Sequence, residues 1–457
     1  MSRSRLLVLL LIAVAITIIW GVAIRYRAST QIAREIEAIR AEGYPIAPPN
    51  LHAWFPGVPA DENPIPLYLD AHWASVDQSI DVSGIPYMDD RITHPTDVEP
   101  YTDETIRRLG QFLDVCRDAL ELVRRAAALH MDRAADFVAA NPLSITNMGR
   151  NAIRSAAYRA NAEFRYGIET GDAEAAVAAF EAGSVACAFL SFDPQITSRL
   201  DQYFCVEIML RGFARFFSLR GLTDELLARM DRALARLESA GAIEQALATD
   251  RAWGVYYITG LLAGESLSGP FDDPAPVGTA EWFYKVVDEF PTRAAMRTGT
   301  LPRIWLGELR LSRRFMDSLR LPYPEAIAVR AQINMELDGL HSTRSLYMFQ
   351  GIVVEDVWFR LADWEEPENN AWVRSARTAI AIERYRLAEG RLPTALADLA
   401  PRFLPEPPLD PFDATPSKYA IENGDYAIYS IGKNLKDDGG VGDINQKTDD
   451  LGFRIAQ

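Results

Sequence analysis

A mainly α-helical protein, with an N-terminal transmembrane helix, an antiparallel helical array and a small α+β C-terminal domain carrying an antiparallel sheet, is what this sequence predicts. Three observations carry the prediction. An apolar run near the start is long enough to cross a bilayer, helical periodicity with capping signals runs from residue 102 to about 364, and a hairpin signature stands near the end. The chain has 457 residues, enough for two or three domains. Apolar residues make up 49% of it, so a large core can be buried and intrinsic disorder is excluded. The net charge of -16 argues against nucleic acid as a partner, because phosphate binding needs a basic surface.

The apolar run covers residues 6–24, flanked by Arg3 and Arg5 before it and Arg25 and Arg27 after it. At about 1.5 Å per residue it makes roughly 28 Å of helix, close to the hydrocarbon thickness of a bilayer. A cleaved signal peptide is the rival reading, with Gly21-Val22-Ala23 as its small-x-small site. Such a peptide usually has a shorter apolar region, and an uncleaved anchor accounts better for this length. Arginines nearly balance across the run. The simplest arrangement keeps the short tail in the cytoplasm and exports the body. That makes a single-pass bacterial inner-membrane protein with a periplasmic body.

From Arg27 onward the helical pattern continues, with Ile32, Ile36 and Ile39 on one face. Gly43-Tyr44-Pro45 stops it. Residues 1–43 thus read as anchor and stalk helix. Residues 44–100 read as a proline-rich linker and irregular segment, with prolines at 45, 48, 49, 56, 59, 64 and 66 and one short helix near 67–75.

Residues 101–366 form the helical array. Thr102-Asp103-Glu104 opens a helix with a capping residue and acidic first turn, followed by an apolar face of Leu109, Phe112, Leu113, Cys116, Leu120 and Val123. Residues 152–168 and 173–190 form a helical hairpin, with Gly171 at the exit of one helix and Asp172 capping the next. The hairpin resembles a tetratricopeptide-like unit, but no repeat of about 34 residues extends to its neighbours. Thr223-Asp224-Glu225 starts another helix, and residues 266–277 make a loop. The array is solenoid-like. Glu365-Glu366-Pro367-Glu368 marks its end, and residues 367–457 form the α+β domain.

In that last domain residues 372–387 are helical up to Glu389-Gly390. Residues 418–422 and 425–430 form a β-hairpin around Asn423-Gly424, since Asn-Gly favours the positive φ values of a type I′ turn. Residues 451–455 add a third strand. The order of small motifs here, Tyr385, Gly390 with Pro393, Asp410-Pro411-Phe412, Ser430-Ile431-Gly432, Asp438-Gly439-Gly440 and a late Asp449 or Asp450, resembles the globular part of the major pseudopilin of type II secretion. The resemblance covers residues 370–457, under a fifth of the chain. The prepilin cleavage site and the glutamate of the mature pilin helix are lacking, so the resemblance implies a borrowed module rather than a pilus subunit.

In that family the C-terminal loop binds calcium, so the resemblance implies a calcium site at Asp437, Asp438, Asp449 and Asp450. The chemistry of the loop agrees: a hard cation takes about 6–8 oxygens. Those four aspartates and Asp443 crowd one segment that Gly439-Gly440 lets turn tightly. Solvated turn formers are the other reading of the same aspartates.

Catalytic motifs are lacking. His52, His72, His94, His130 and His341 show no zinc-hydrolase spacing. The run Gly264 to Gly269 has the wrong spacing for a nucleophile elbow, and no nucleotide-binding loop is present. Glu355, Asp356, Asp363, Glu365 and Glu366 could pair for glycoside chemistry, although acids at a helix end are ordinarily a solvated face. Phe213, Phe216 and Phe217, and Trp253, Tyr256 and Tyr257, fall at core spacing. Cys116, Cys187 and Cys205 form no CxxC pair; a Cys187–Cys205 bridge and buried thiols are both compatible with them. The expected role is therefore binding or scaffolding of envelope or secretion proteins at the membrane, with an exported carboxylate-based hydrolase as the alternative.

Overall fold

The computed structural model describes residues 3–47, 49–51, 63–76, 85, 100–129, 147–191, 193, 195–210, 212–238, 242–263, 300–342, 356–440 and 450–456. Within the first helix, side chains are described at 12, 16 and from 19 onward. The chain is mainly helical with one small antiparallel sheet near its C-terminus. In chain order the helices are α1 (Arg3–Ala41), α2 (Ile65–Val76), α3 (Asp103–Val115), α4 (Arg117–Ala128), α5 (Asn147–Thr170), α6 (Ala173–Leu190) and α7 (Ile196–Leu210). There follow α8 (Phe213–Phe216), α9 (Asp224–Ala235), α10 (Ala242–Ala263), α11 (Thr300–Ser318), α12 (Tyr323–Ser342), α13 (Asp356–Arg360) and α14 (Glu366–Glu389). The strands are β1 (Lys418–Glu422), β2 (Asp425–Ser430) and β3 (Leu451–Ile455). The expected loop at 266–277 lies outside the described residues.

Two compact units result. The first combines Met1–Trp54, Leu247–Leu321 and Glu325–Phe359; the second combines Phe55–Ala246, Pro322–Pro324 and Arg360–Gln457. In the first unit α1 packs along α11. The i, i+4, i+7 stripe of Ile32, Ile36 and Ile39 is buried, with Ala28 one turn earlier. Ion pairs flank the stripe: Glu35 accepts from Arg310 at 3.1 Å and Arg313 at 3.0 Å, and Glu42 also accepts from Arg313. Gly43, at φ +88, turns the chain out of the helix, and the Tyr44 N–H closes on the Ile39 carbonyl. Residues 27–42 were expected as a stalk and are instead part of this unit's core. An exposed triple-isoleucine stripe is unfavourable in water, and α11 covers it. Deeper in the unit, Trp358 is buried with its indole N–H on Asp250 at 2.7 Å and its ring edge-on to Phe315.

The second unit grows from the α5–α6 hairpin. Gly171 takes φ +79 and the Asp172 carboxylate accepts from the Ala175 N–H, as the sequence indicates. Close approach explains the small residues: a Cβ on Gly167 would sit 2.8 Å from the Ala176 nitrogen. Among the residues whose side chains are described, α6 is the one helix long and apolar enough to cross a membrane, but 78% of it is buried in the protein, as befits a core helix. Thr102 and Thr223 cap α3 and α9 through bonds from the Thr105 and Leu226 N–H groups. The apolar face beginning at Leu109 is divided between α3 and α4, which meet at Cys116.

α14 lies between α9 and the sheet. Towards α9 it presents arginines at turn spacing: Arg374 bonds Glu238, Arg377 bonds Asp231 and Glu238, and Arg384 bonds Asp224. Towards the sheet it meets Tyr426, Ile428, Phe453 and Ile455, all buried. Strand order is β1-β2-β3, with Glu422 opposite Asp425 across Asn423 (φ 55) and Gly424 (φ 95), the positive pair the type I′ turn requires. Phe453 on β3 packs against Phe213 and Trp372, so one core runs from α2 through the α5–α6 hairpin to the last strand.

This changes the division of the chain. The expected boundary between 366 and 367 falls where a π-helical turn, Leu361–Glu365, leads straight into α14. Pro367 sits in the first turn of α14 directly after the π-helical turn, within a continuous helical run rather than in a linker. The C-terminal 367–457 segment is thus not a separate body: it completes the core of residues 55–246.

Candidate functional site

The C-terminal end of β2 gathers the residues that the sequence singles out. Asp410 comes first because it holds the site's floor. Its carboxylate is buried and accepts three bonds: Phe412 N–H at 2.9 Å and Ser430 Oγ–H at 2.8 Å on Oδ1, and Ile431 N–H at 2.8 Å on Oδ2. Pro411 fixes the turn, and Phe412 inserts edge-on against Tyr323 at 4.8 Å. The Asp-Pro-Phe and Ser-Ile-Gly motifs, about twenty residues apart in sequence, are therefore one clasp.

Above the clasp the chain reverses through Gly432 and Leu435, both with positive φ, into the aspartate loop. Asp437 and Asp438 are exposed and Asp450 is buried. Asp437 Oδ1 accepts from the Tyr429 hydroxyl at 3.0 Å and from the Gly439 N–H at 3.1 Å. Asp438 Oδ2 accepts from the Asn434 side-chain amide at 2.8 Å. Asp450 Oδ2 accepts from the N–H groups of Asp438 at 3.0 Å and Gly440 at 2.8 Å. Gly439 and Gly440 both take positive φ, and along this turn the N–H groups alternate, Asp438 and Gly440 donating to Asp450 and Gly439 to Asp437. Gly440 has a second reason to be glycine: a Cβ there would lie 2.3 Å from the Tyr429 ring.

One atom in this arrangement is unsatisfied. Asp450 Oδ1 is buried and has no hydrogen-bond partner. Burial raises the Asp450 carboxyl pKa, the two backbone donors lower it, and the negative charges of Asp438 and Asp437 raise it further. The Tyr429 hydroxyl is likewise pushed up to about 12 by burial, its bond to Asp437 and the carboxylates nearby. Local charge therefore disfavours a third anion and favours a cation or a proton.

Three of the four expected ligands, Asp437, Asp438 and Asp450, thus share one loop, while Asp449 and Asp443 lie outside the described residues. Among the described residues no group of three or more His, Cys, Asp or Glu side chains is arranged to hold a metal ion. The orphaned Asp450 oxygen and the clustered negative charge suit a hard cation. Tyr429 and Asp410 carry much of the loop's geometry and were not marked by the sequence as site residues. The signal for Tyr429 was its place immediately before the Ser-Ile-Gly end of a strand.

The acids considered for hydrolysis are engaged elsewhere or apart. Glu365 accepts from Arg360 at 2.7 Å, Asp356 is exposed, and Glu355 lies outside the described residues. His72 Nδ1 is 3.2 Å from Ser155 Oγ, and burial together with the Arg159 charge lowers its pKa. Phe213, Phe216 and Phe217 are core, whereas Tyr256 is exposed because its face of α10 points outward; the Tyr257 side chain lies outside those described. No protein-family model, no curated protein and no solved structure matches this chain.

Proposed function

We propose that this is a single-pass, membrane-anchored envelope protein whose exported body binds or scaffolds envelope or secretion components, and whose C-terminal loop is stabilised by calcium. The observation that carries the reading is the two-part character of α1. Ile12, Ile16, Ile19, Trp20, Val22 and Tyr26 are exposed on it, and from Ala28 the same unbroken helix is buried in the first unit. Apolar side chains exposed at these positions call for a lipid or protein partner. Trp20 near the end of the apolar run and Tyr26 just beyond it suit a membrane–water interface, where an aromatic ring has one apolar and one wet end. Arg25 and Arg27 suit the headgroups beyond it.

Calcium, when bound, would supply a positive centre to the loop; Asp450 with Asp437 and Asp438 would hold it, and the Asp450 Oδ1 atom would gain the partner it lacks. A pseudopilin-like origin for residues 370–457 rests on the motif order and on the clasp that joins two of those motifs.

The first experiment takes membranes from cells expressing the full chain and combines alkaline carbonate extraction with protease treatment of spheroplasts. Retention in the carbonate pellet with the body digested from outside supports the reading. Release into the supernatant removes the anchor, and a protected body reverses the orientation. Melting the detergent-solubilised full chain with calcium or with a chelator tests the loop. If calcium binds at about 10 μM, 1 mM metal adds roughly 2.7 kcal/mol. Coincident melts would remove calcium from the proposal.

A further inference from the structure

α6 and α7 pack against each other across a short corner, and the Gly183–Met209 contact defines their register. Gly183 on α6 faces Met209 on α7 so closely that a Cβ on Gly183 would lie 2.6 Å from the methionine methyl and 2.8 Å from its sulfur. One turn nearer the corner, the same register sets Cys187 opposite Cys205 in one buried cluster, with Cys205 close enough to act on the Cys187 thiol. Four residues forward on one helix meets four residues back on the other in an antiparallel pair, and Gly183–Met209 to Cys187–Cys205 is that step. The corner beyond is pinned as well. Ser198 Oγ–H donates to Asp193 at 2.5 Å, the Gln195 N–H donates to the same carboxylate at 3.2 Å, and Arg199 bonds Gln202 and the Ser191 carbonyl. Helix register therefore sets the two cysteines opposite each other, and Gly183 leaves the room that the Met209 side chain fills.

Both thiols are fully buried. The third cysteine, Cys116, lies in a different cluster, among Leu109, Phe112 and Leu120.

We propose that Cys187 and Cys205 are a disulfide-forming pair, a modification site that bridges α6 to α7 when the chain folds in the presence of a thiol oxidase. One cysteine thiolate attacks the oxidase disulfide, giving a mixed disulfide and one oxidase thiol. The second cysteine thiolate displaces the other oxidase sulfur. The chain loses two protons and two electrons, and the oxidase disulfide becomes two thiols. Burial pushes the Cys187 thiol well above its usual range, so the thiolate needed for attack belongs to the folding chain, before this core closes. Where the bridge forms in the cell rests on the exported body proposed above; whether the pair can bridge does not.

The deciding experiment refolds the purified full chain in detergent with reduced and oxidised glutathione, alkylates it under denaturing conditions with N-ethylmaleimide, and maps the peptides by mass. The expected product has Cys187 linked to Cys205, about 2 Da lighter than the dithiol, with Cys116 alone alkylated. A Cys116→Ser variant is expected to form the same bridge and take up no label, and the bridge is expected to raise the melting point by several degrees. Three labelled cysteines, or bridges to Cys116 as frequent as Cys187–Cys205, would overturn the proposal. Should refolding fail, membranes from expressing cells are acid-quenched and labelled directly, beside the protease test of orientation. A protease-accessible body with three free thiols overturns the pair and leaves the location standing. A protected body with three free thiols refutes the location, and the pair is then decided by treating those membranes, unfolded in urea, with oxidised glutathione during dilution.

Discussion

Replacing Asp410 by alanine removes one side chain and orphans three donors at once. The Phe412 and Ile431 N–H groups and the Ser430 hydroxyl all lose their acceptor, and all three residues are buried. A buried donor left unsatisfied costs about 1–3 kcal/mol. Local relaxation and water entry reduce the sum, so a loss of about 3–5 kcal/mol is expected. The loss is local to the end of β2, which makes amide hydrogen exchange the suitable assay. A peptide covering residues 426–432 is expected to exchange about a hundredfold to a few thousandfold faster in the variant, since each 1.4 kcal/mol is about tenfold. Peptides from α9 serve as an internal reference. Asp410→Asn keeps an acceptor for Phe412 and Ser430 but sets an amide NH2 against the Ile431 N–H, so its effect is expected to be about half as large. Exchange in Asp410→Ala within about threefold of the parent would refute the clasp, because it would mean the three donors lose almost nothing.

Three further outcomes are expected. Burial pushes the Asp193 carboxyl up to about 6 from an ordinary 3.8, despite its bonds from Ser198 and Gln195. A folded-state value above the unfolded one makes stability greatest below pH 3.8 and lowers it as pH rises through about 6. The parent should thus lose about 3 kcal/mol across that window relative to Asp193→Asn in urea melts, and parallel curves would contradict this. Ile39→Ala empties a fully buried site between α1 and α11, and is expected to cost the first unit about 2–5 kcal/mol by denaturant titration; an unchanged midpoint would return residues 27–42 to the role of a free stalk. Gly440→Ala adds a Cβ against the Tyr429 ring at a positive φ, and is expected to disorder the aspartate loop, seen as faster exchange of the Asp438 and Gly440 amides and loss of any calcium-dependent melt.

Much of the candidate site was legible as composition but not as structure. Asp437, Asp438 and Asp450 stand out in any reading of the loop, because carboxylates and glycines in close sequence already suggest a turn that converges oxygens. What the loop does with them was not legible. Asp450 faces inward, accepts two backbone N–H groups with one oxygen and leaves the other bare, while Asp437 is engaged by Tyr429. Those assignments depend on which face β3 turns to β2, a matter of pairing Ser430 with Leu451 across a long intervening loop.

Sequence alone determined the features whose causes act over a few residues: the caps at Thr102, Asp172 and Thr223, the left-handed exits at Gly43, Gly171 and Gly390, and the hairpin register at Asn423-Gly424. Torsional preference, side-chain-to-backbone bonding and the 3.6-residue period are local, so a single chain displays them openly. Only the tertiary structure decided which surfaces meet. The stripe at Ile32, Ile36 and Ile39 reads as part of a stalk until α11 is found covering it. Nothing in the sequence assigns a partner to the arginines of α14, and the structure pairs Arg377 with Asp231, 146 residues earlier in the chain. Such pairings are chosen by complementary shape and charge between segments that sequence order keeps apart, and burial of apolar area rewards any complementary partner without encoding which one it is.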